Sequence, residues 1–356
     1  MAKAVGFNRF MLFKSQPAWG TKATGLTQTM VPLRGGGLLE PNPLLQPRED
    51  AIFAISPFAQ YYEAPKFVPW SASVLFVNPT TAATTLRDFL RTVYGLETLV
   101  VGPPITKTYT INDPPIDGAT DTGTLLYGRG LTIHEQCDDS AGVKIYADEV
   151  QDGIVNELSM TWRNDAPLMV AMRGMASDFQ HNQTDLSPTI PAGSLFTYRH
   201  LRDQTNAGLR IGTANPPTSA NKCIFSQAVL TISNPLRYMN FMGAGTTQEA
   251  VLPTRDDQVG ITLDVTMDVE TAVASQSTAD DIAAWFVNRT PVNCNFLTYV
   301  DANNILQFQT TGATAGCFIE TVRRAAPNLG AMQYTVRLRV APSALGDTIL
   351  KLTTAS

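Results

Sequence analysis

The sequence predicts a mainly β chain of the α+β type, with only two short helices. Three observations point there. Runs of β-branched and aromatic residues recur along the chain, many alternating apolar and polar positions. Gly, Pro, Asn and Asp punctuate these runs at short intervals. Only two segments carry the three-to-four-residue apolar spacing of an amphipathic helix.

The first 50 residues include Gly35-Gly36-Gly37 and Pro41-Asn42-Pro43 and show no clear period, so residues 1–50 read as an extended arm. Ala51 to Ile55 and Ser73 to Val77 are strand-like. A helix is expected over 80–94. Thr80 and Thr81 are available as caps, Leu86, Phe89, Leu90, Val93 and Tyr94 form one face, and Gly95 closes it. Strands return at Thr124–Tyr127, Gly130–Ile133 and Val143–Tyr146. Ile154–Trp162 and Leu168–Met175 follow as a hairpin around Arg163 to Pro167.

Residues 176–222 are polar and read as a linker or long loop, with only Leu195–Tyr198 strand-like. Phe225–Ser233 is again a strand. Val259 to Val269 alternates cleanly, with Val259, Ile261, Leu263, Val265, Met267 and Val269 on one face. The second helix is expected over 279–289. Thr278 and Asp281 form an acidic capping box, and Ile282, Trp285 and Phe286 supply the buried stripe. Strands at 293–300, 305–309, 317–322, 332–340 and 348–352 complete the chain. Residues 51–175 and 223–356 thus read as two tandem units of one pattern (strands, a capped helix, a strand meander) without residue identity between them.

Composition narrows the function. Of 356 residues, 44% are apolar and only 16% charged, against roughly 25% charged in an ordinary soluble domain. The apolar share excludes a disordered chain. A net charge of −5 argues against holding nucleic acid by counterion release. The basic residues are 18 Arg against 8 Lys, a bias shared by surfaces that meet other proteins and by ordinary codon usage. Cys137, Cys223, Cys294 and Cys317 are too scattered for a zinc site or a disulfide scaffold. No apolar run suits a signal peptide or a membrane span, so a reduced, intracellularly folded, soluble chain is expected.

No catalytic constellation stands out, and the chain is expected to be neither an enzyme nor a cofactor or metal binder. His134, His181 and His200 sit in no metal-ligand spacing. His134 with Cys137, Asp138 and Asp139 makes at best an incomplete site. Arg34-Gly35-Gly36-Gly37 lacks the Lys-Ser/Thr and the helix of a phosphate loop. Asp280-Asp281 belongs to a helix N-terminus. A long β-rich chain with few charges and no chemistry reads as a building block.

Three stretches carry a resemblance. They are the helix ending Leu86-Arg87-Asp88-Phe89-Leu90-Arg91-Thr92-Val93-Tyr94-Gly95, the pair Val155–Trp162 and Leu168–Gly174, and the strand Val259–Glu270 followed by the helix with Trp285 and Phe286 and a meander to Leu352. In this order and texture, from about residue 50 onward, the chain resembles the major tail tube proteins of long-tailed bacteriophages. The resemblance implies β-sandwich or barrel-like units, each with a flanking short helix. It implies homo-oligomeric rings stacked into a hollow tube that delivers DNA to the host. Two units per chain imply trimeric, pseudo-sixfold rings; one unit implies hexamers. It implies a place in the virion tail, assembly in the host cytoplasm, and tape-measure, terminator and distal tail proteins as partners, with no membrane. The alternatives are a tail terminator, decoration or capsid-associated protein, or a β-rich carbohydrate-binding protein. For the last, Trp19, Trp70, Trp162 and Trp285 are poorly clustered.

A tube wall has to face DNA without gripping it. Two strand faces are therefore candidates for the lumen: Glu157, Ser159 and Thr161, and Thr262, Asp264, Thr266, Asp268 and Glu270. Each is equally an ordinary solvated face.

Overall fold

The computed structural model describes residues 9–26, 30–31, 38–39, 45–47, 61–63, 68–75, 85–102, 105–112, 115–116, 120–139, 141–163, 166–186, 208–241, 249–255, 257, 259–268, 278–301, 304–310, 316–325, 332–341 and 348–354. The expected strand at Ala51–Ile55, the start of the first helix at 80–84, Leu195–Tyr198, His200 and Glu270 lie outside them.

The chain is mainly β, with two α-helices among the described residues. Its first part contains β1 (Arg9–Ser15), β2 (Met30–Val31), β3 (Leu38–Leu39), β4 (Leu45–Pro47), β5 (Tyr61–Glu63), β6 (Val68–Leu75) and α1 (Thr85–Tyr94). Then come β7 (Gly95–Val100), β8 (Ile105–Ile111), β9 (Leu125–Tyr127), β10 (Leu131–Asp138), β11 (Lys144–Arg163) and β12 (Ala166–Gln180). The second part contains β13 (Gly208–Gly212), β14 (Lys222–Cys223), β15 (Gln227–Ser233), β16 (Leu236–Phe241), β17 (Glu249–Arg255), β18 (Gly260–Asp268) and α2 (Ala279–Val287). It ends with β19 (Asn293–Asp301), β20 (Asn304–Gln309), β21 (Cys317–Ala325), β22 (Gln333–Val340) and β23 (Thr348–Thr354).

Two antiparallel sheets dominate. The larger has 11 strands in the order β2-β1-β10-β11-β15-β18-β22-β21, with β12 joining β11 to β6 and β3 pairing with β6. The smaller has 8 strands in the order β14-β13-β19-β20-β23-β8-β7-β9. Neither closes into a barrel among the described residues. Strands of both expected units enter both sheets, meeting at the β11–β15 pair in the larger and the β8–β23 pair in the smaller. The order of elements is parallel in the two parts. A large-sheet strand, β6 or β18, leads to a helix. A hairpin in the small sheet follows, β7–β8 or β19–β20, and then a hairpin in the large sheet, β10–β11 or β21–β22.

One strand organises the large sheet. β11 runs 20 residues, where the sequence suggests two shorter strands. Along one edge it pairs with β12; on the other, its first half pairs with β10 and its second half with β15. Register shifts between Gln151 and Glu157 mark the bend. There Asp152 and Asp178 take left-handed φ values of 54° and 49°, which Asp tolerates better than most residues. Gly174 of β12 sits at this bend. A Cβ there would lie 1.8 Å from the Ile154 carbonyl oxygen and 2.9 Å from Trp70 Nε1. We expect Gly174→Ala to lower stability by about 2–3 kcal/mol, because backbone blocks the added methyl. Urea unfolding checks this.

The core joins the sheets. Trp162 of β11 meets Phe296 of β19 with centroids 4.7 Å apart, and Phe225 closes on Phe296 at 5.3 Å. α1 packs on β11, β7, β8 and β1. Its expected face is buried at Phe89, Leu90, Val93 and Tyr94, with Phe89 against Phe13 at 4.7 Å and Trp70 at 6.1 Å. Gly95 follows at φ +94°, so the chain turns straight from helix into β7. In α2 the capping box forms: Thr278 Oγ1 accepts from Asp281 N at 3.2 Å, and Asp281 Oδ2 from Thr278 N at 2.9 Å. Its stripe is narrower than expected. Ile282 is buried and Trp285 packs on the core, but Phe286 is 38% exposed, because among the described residues α2 packs mainly on β21.

The arm reading of residues 1–50 also needs correction. Arg9–Ser15 is a full strand in register with β10, and Phe10, Met11, Leu12 and Phe13 are all buried. Both faces are covered, so no alternation marks it in the sequence. In the polar stretch 176–222, β12 continues to Gln180, and Gly208–Gly212 pairs with β19.

Candidate functional site

The two candidate strips, 101 residues apart between Thr161 and Thr262 in the sequence, fall on one face of the large sheet. β15 lies between them. Ser159 pairs with Thr231, which pairs with Thr262. Thr161 pairs with Val229, which pairs with Asp264. Glu157 pairs with Ser233 and Thr266 with Gln227. Asp268 follows in β18 opposite Gln333.

Rows of this face run on in both directions. Toward β6, Ser159 is followed by Ala171 and Ser73, and Glu157 by Arg173 and Ser71. Toward β21, Thr262 is followed by Arg339, and Asp264 by Arg337 and Thr321. Seven strands, β6-β12-β11-β15-β18-β22-β21, thus share a face rich in Ser and Thr. Six spacings of about 4.8 Å make it roughly 29 Å wide. The reverse is core: Leu158, Met160, Trp162, Leu230, Ile232, Ile261, Leu263, Val265, Val336 and Leu338 are at most 1% exposed. This inward set fixes which way the polar set points, since a one-residue slip would exchange them.

The electrostatics differ from the expected acidic wall. Glu157 accepts from Arg173 Nη2 at 2.7 Å. Asp264 is held in a fork by Arg337, at 2.7 and 3.1 Å. Arg163, Arg323 and Arg339 occupy the same face by alternation and register, and all three are exposed. Both named carboxylates are neutralised by neighbours, and arginines outnumber them. The hydroxyl and arginine positions Thr231, Thr335, Ser71, Ser73, Arg337 and Arg339 are not among the sequence candidates. The same alternation in Val68–Leu75, Gln227–Ser233 and Gln333–Val340 carries the signal for them.

Other candidate chemistry stays dispersed. His134 and Cys137 are three residues apart on β10 and so point to opposite faces. His134 is buried, with Nε2 at 3.3 Å from Gln136 Oε1 and Nδ1 at 3.5 Å from Glu149 Oε2. Burial alone would raise the Glu149 carboxyl, but His134 and Lys22 outweigh it and hold it below the ordinary range. These residues edge a cavity of about 260 Å³ between residues 22–26 and 183–186. His181 is exposed and bound to Asp148 at 2.5 Å. No cluster of three metal-ligand side chains occurs among the described residues, and no helix among them is long and apolar enough to cross a membrane.

The four cysteines are free and buried. Burial pushes the Cys223 and Cys317 thiols up to about 12, and Cys294 well above its usual value. All four are expected to resist maleimide in the folded protein and to react once urea unfolds it, as mass spectrometry would show.

A comparison with models of known protein families finds no match to this chain, and neither does a comparison with curated proteins.

Proposed function

We propose that this chain is a structural virion protein that polymerises as stacked rings into the hollow tail tube of a long-tailed phage. The observation that carries this reading is the single polar face about seven strands wide, backed by core, onto which both candidate strips fall. A sheet that is wet on one side and joins copies at its edges is the material of a tube wall. Among the described residues the outer edge of β21 carries only the isolated Cys317–Val292 bridge, and the opposite edge only the two-residue β3. Long free edges invite pairing with another chain, and ring closure removes them.

The parallel order of elements favours two tandem units and hence three copies per ring. Three copies of seven strands, at about 4.8 Å each, give a circumference of about 100 Å before strand tilt widens it. Its diameter of about 32 Å suits a double helix, whereas six copies would double it. Hydroxyls and carboxylates paired with arginine suit a wall over which DNA slides, whereas the exposed Arg163, Arg323 and Arg339 add positive charge that pulls the other way. In this reading the polar face of β11, β15 and β18 lines the lumen, and the small sheet lies outside it.

Sedimentation velocity and negative-stain microscopy of the purified protein test the reading. Hollow rings or tubes with three copies per layer are expected. A monodisperse monomer at high concentration, with no polymer when other tail proteins are added, would overturn it.

A further inference from the structure

We propose that copies of this chain join head to tail through two corners of the large sheet. The tip of the β10–β11 hairpin of one copy would dock on the β21–β22 margin of the next. The proposal deepens the ring reading and rests on it, and it names the surfaces that meet.

The two corners carry opposite charge. At the hairpin, Asp138, Asp139 and Asp185 stand against Lys144, while Asp148 is bound by His181 and the neighbouring Arg9 by Glu135. Asp138 and Asp185 both accept from the Gln136 amide, at 2.8 and 2.6 Å, which holds two carboxylates side by side. At the other corner, Arg323, Arg324, Arg337 and Arg339 stand against Glu320 and Asp264. Arg337 is already bound to Asp264, and Arg324 lies over the Tyr334 ring at 5.3 Å. Arg323 and Arg339 are exposed and have no ion pair among the described residues.

The same two corners hold most of the exposed large apolar side chains. Val143 is 61% and Ile145 42% exposed at the hairpin. Phe318, opposite Arg339, is 46% exposed at one end of the β21–β22 margin, and Met332, beside the Ala325–Gln333 pair, is 44% exposed at the other. Phe286 and Val287 project from α2, which packs on β21. Among the described residues only Val100 and Val101 complete this class elsewhere. Arginine with an aromatic residue at the centre of a patch is the composition of a protein-binding surface.

The hairpin tip is also preformed. Asp139 Oδ1 accepts from Ala141 N at 2.8 Å and Val143 N at 2.9 Å, and Gly142 takes φ +79° in the turn. A preordered tip loses little freedom on docking. Like corners repel, which disfavours a two-fold dimer with either corner on its axis. Unlike corners attract, which selects the heterologous contact that closes into rings or propagates along an axis.

Paired charge reversals test the contact by sedimentation velocity. Arg323→Glu with Arg339→Glu, and separately Asp138→Lys with Asp185→Lys, are expected to weaken assembly at least about tenfold. The fourfold variant carrying both swaps is expected to restore it. Because the Asp138 and Asp185 changes disturb Gln136, near-UV circular dichroism accompanies each variant, and a second measurement stands apart from charge. Mixed Val143→Cys and Phe318→Cys chains should cross-link with a short bismaleimide, while neither variant should do so alone. If folded variants with reversed charge assemble normally, or if the mixed cysteine chains fail to cross-link within rings, the corner contact is overturned and the ring reading stands. If the unaltered protein never leaves the monomer, the ring reading itself falls, and the contact with it.

Discussion

Trp162→Ala is expected to destabilise the protein by about 3–5 kcal/mol, as does truncating a large aromatic in a packed core. Trp162 is 1% exposed and lies on the inward side of β11, one residue before its end at Arg163. Its ring touches Phe296 of the small sheet, which also stacks on Phe225. Removing it opens a cavity where the two sheets meet, and well-formed β11–β15 and β19–β20 ladders on either side leave little scope for collapse. Trp162→Phe keeps an aromatic body in the gap and should recover most of the loss. Guanidinium unfolding followed by tryptophan-independent circular dichroism measures both. If Trp162→Ala cost less than 1 kcal/mol, the sheets would not be packed through this contact.

Arg87→Leu is expected to cost a similar amount, about 3–5 kcal/mol, for a different reason. Glu97 of β7 is fully buried, and Arg87 of α1 grips it with Nε at 2.8 and 2.9 Å and Nη2 at 2.5 Å. The pair ties the helix to the first strand of the small sheet. Removing only the arginine leaves a carboxylate in the interior. Lys107 on the neighbouring strand is a poor substitute, because burial, the largest influence on it, pushes its ammonium downward. Arg87→Leu with Glu97→Leu removes both charges, so the double variant should be markedly more stable than Arg87→Leu alone. A double variant as unstable as the single one would assign the loss to packing of the stem rather than to the stranded charge.

Local signals carried much of this fold. The Thr278–Asp281 box and the stripe from Phe89 to Tyr94 depend on neighbours within one helical turn, and both are legible in the residues alone. So is the alternation of Ile261 to Met267, because one face is core and the other is wet. β1 was illegible because a strand covered on both faces shows no period. The unity of β11 was illegible too. Val143–Tyr146 and Ile154–Trp162 read as separate strands, and only pairing with β10 and β12 holds them in one bent strand. The candidate site was half legible. Each strip could be read from its own strand, but their merging depends on β15 inserting between β11 and β18, a long-range pairing with no local trace. The same distance hid the arginines that neutralise Glu157 and Asp264.

The central claim, a ring wall with the polar sheet face turned inward, is tested most directly by labelling that face. Thr262→Cys places a thiol between Thr231 and Arg339 on the wet side of β18, and the native thiols are buried. Maleimide–gold attached to this variant should appear in negative-stain axial views as density inside the central channel of threefold rings. Gold on the outer rim of such rings would contradict the account.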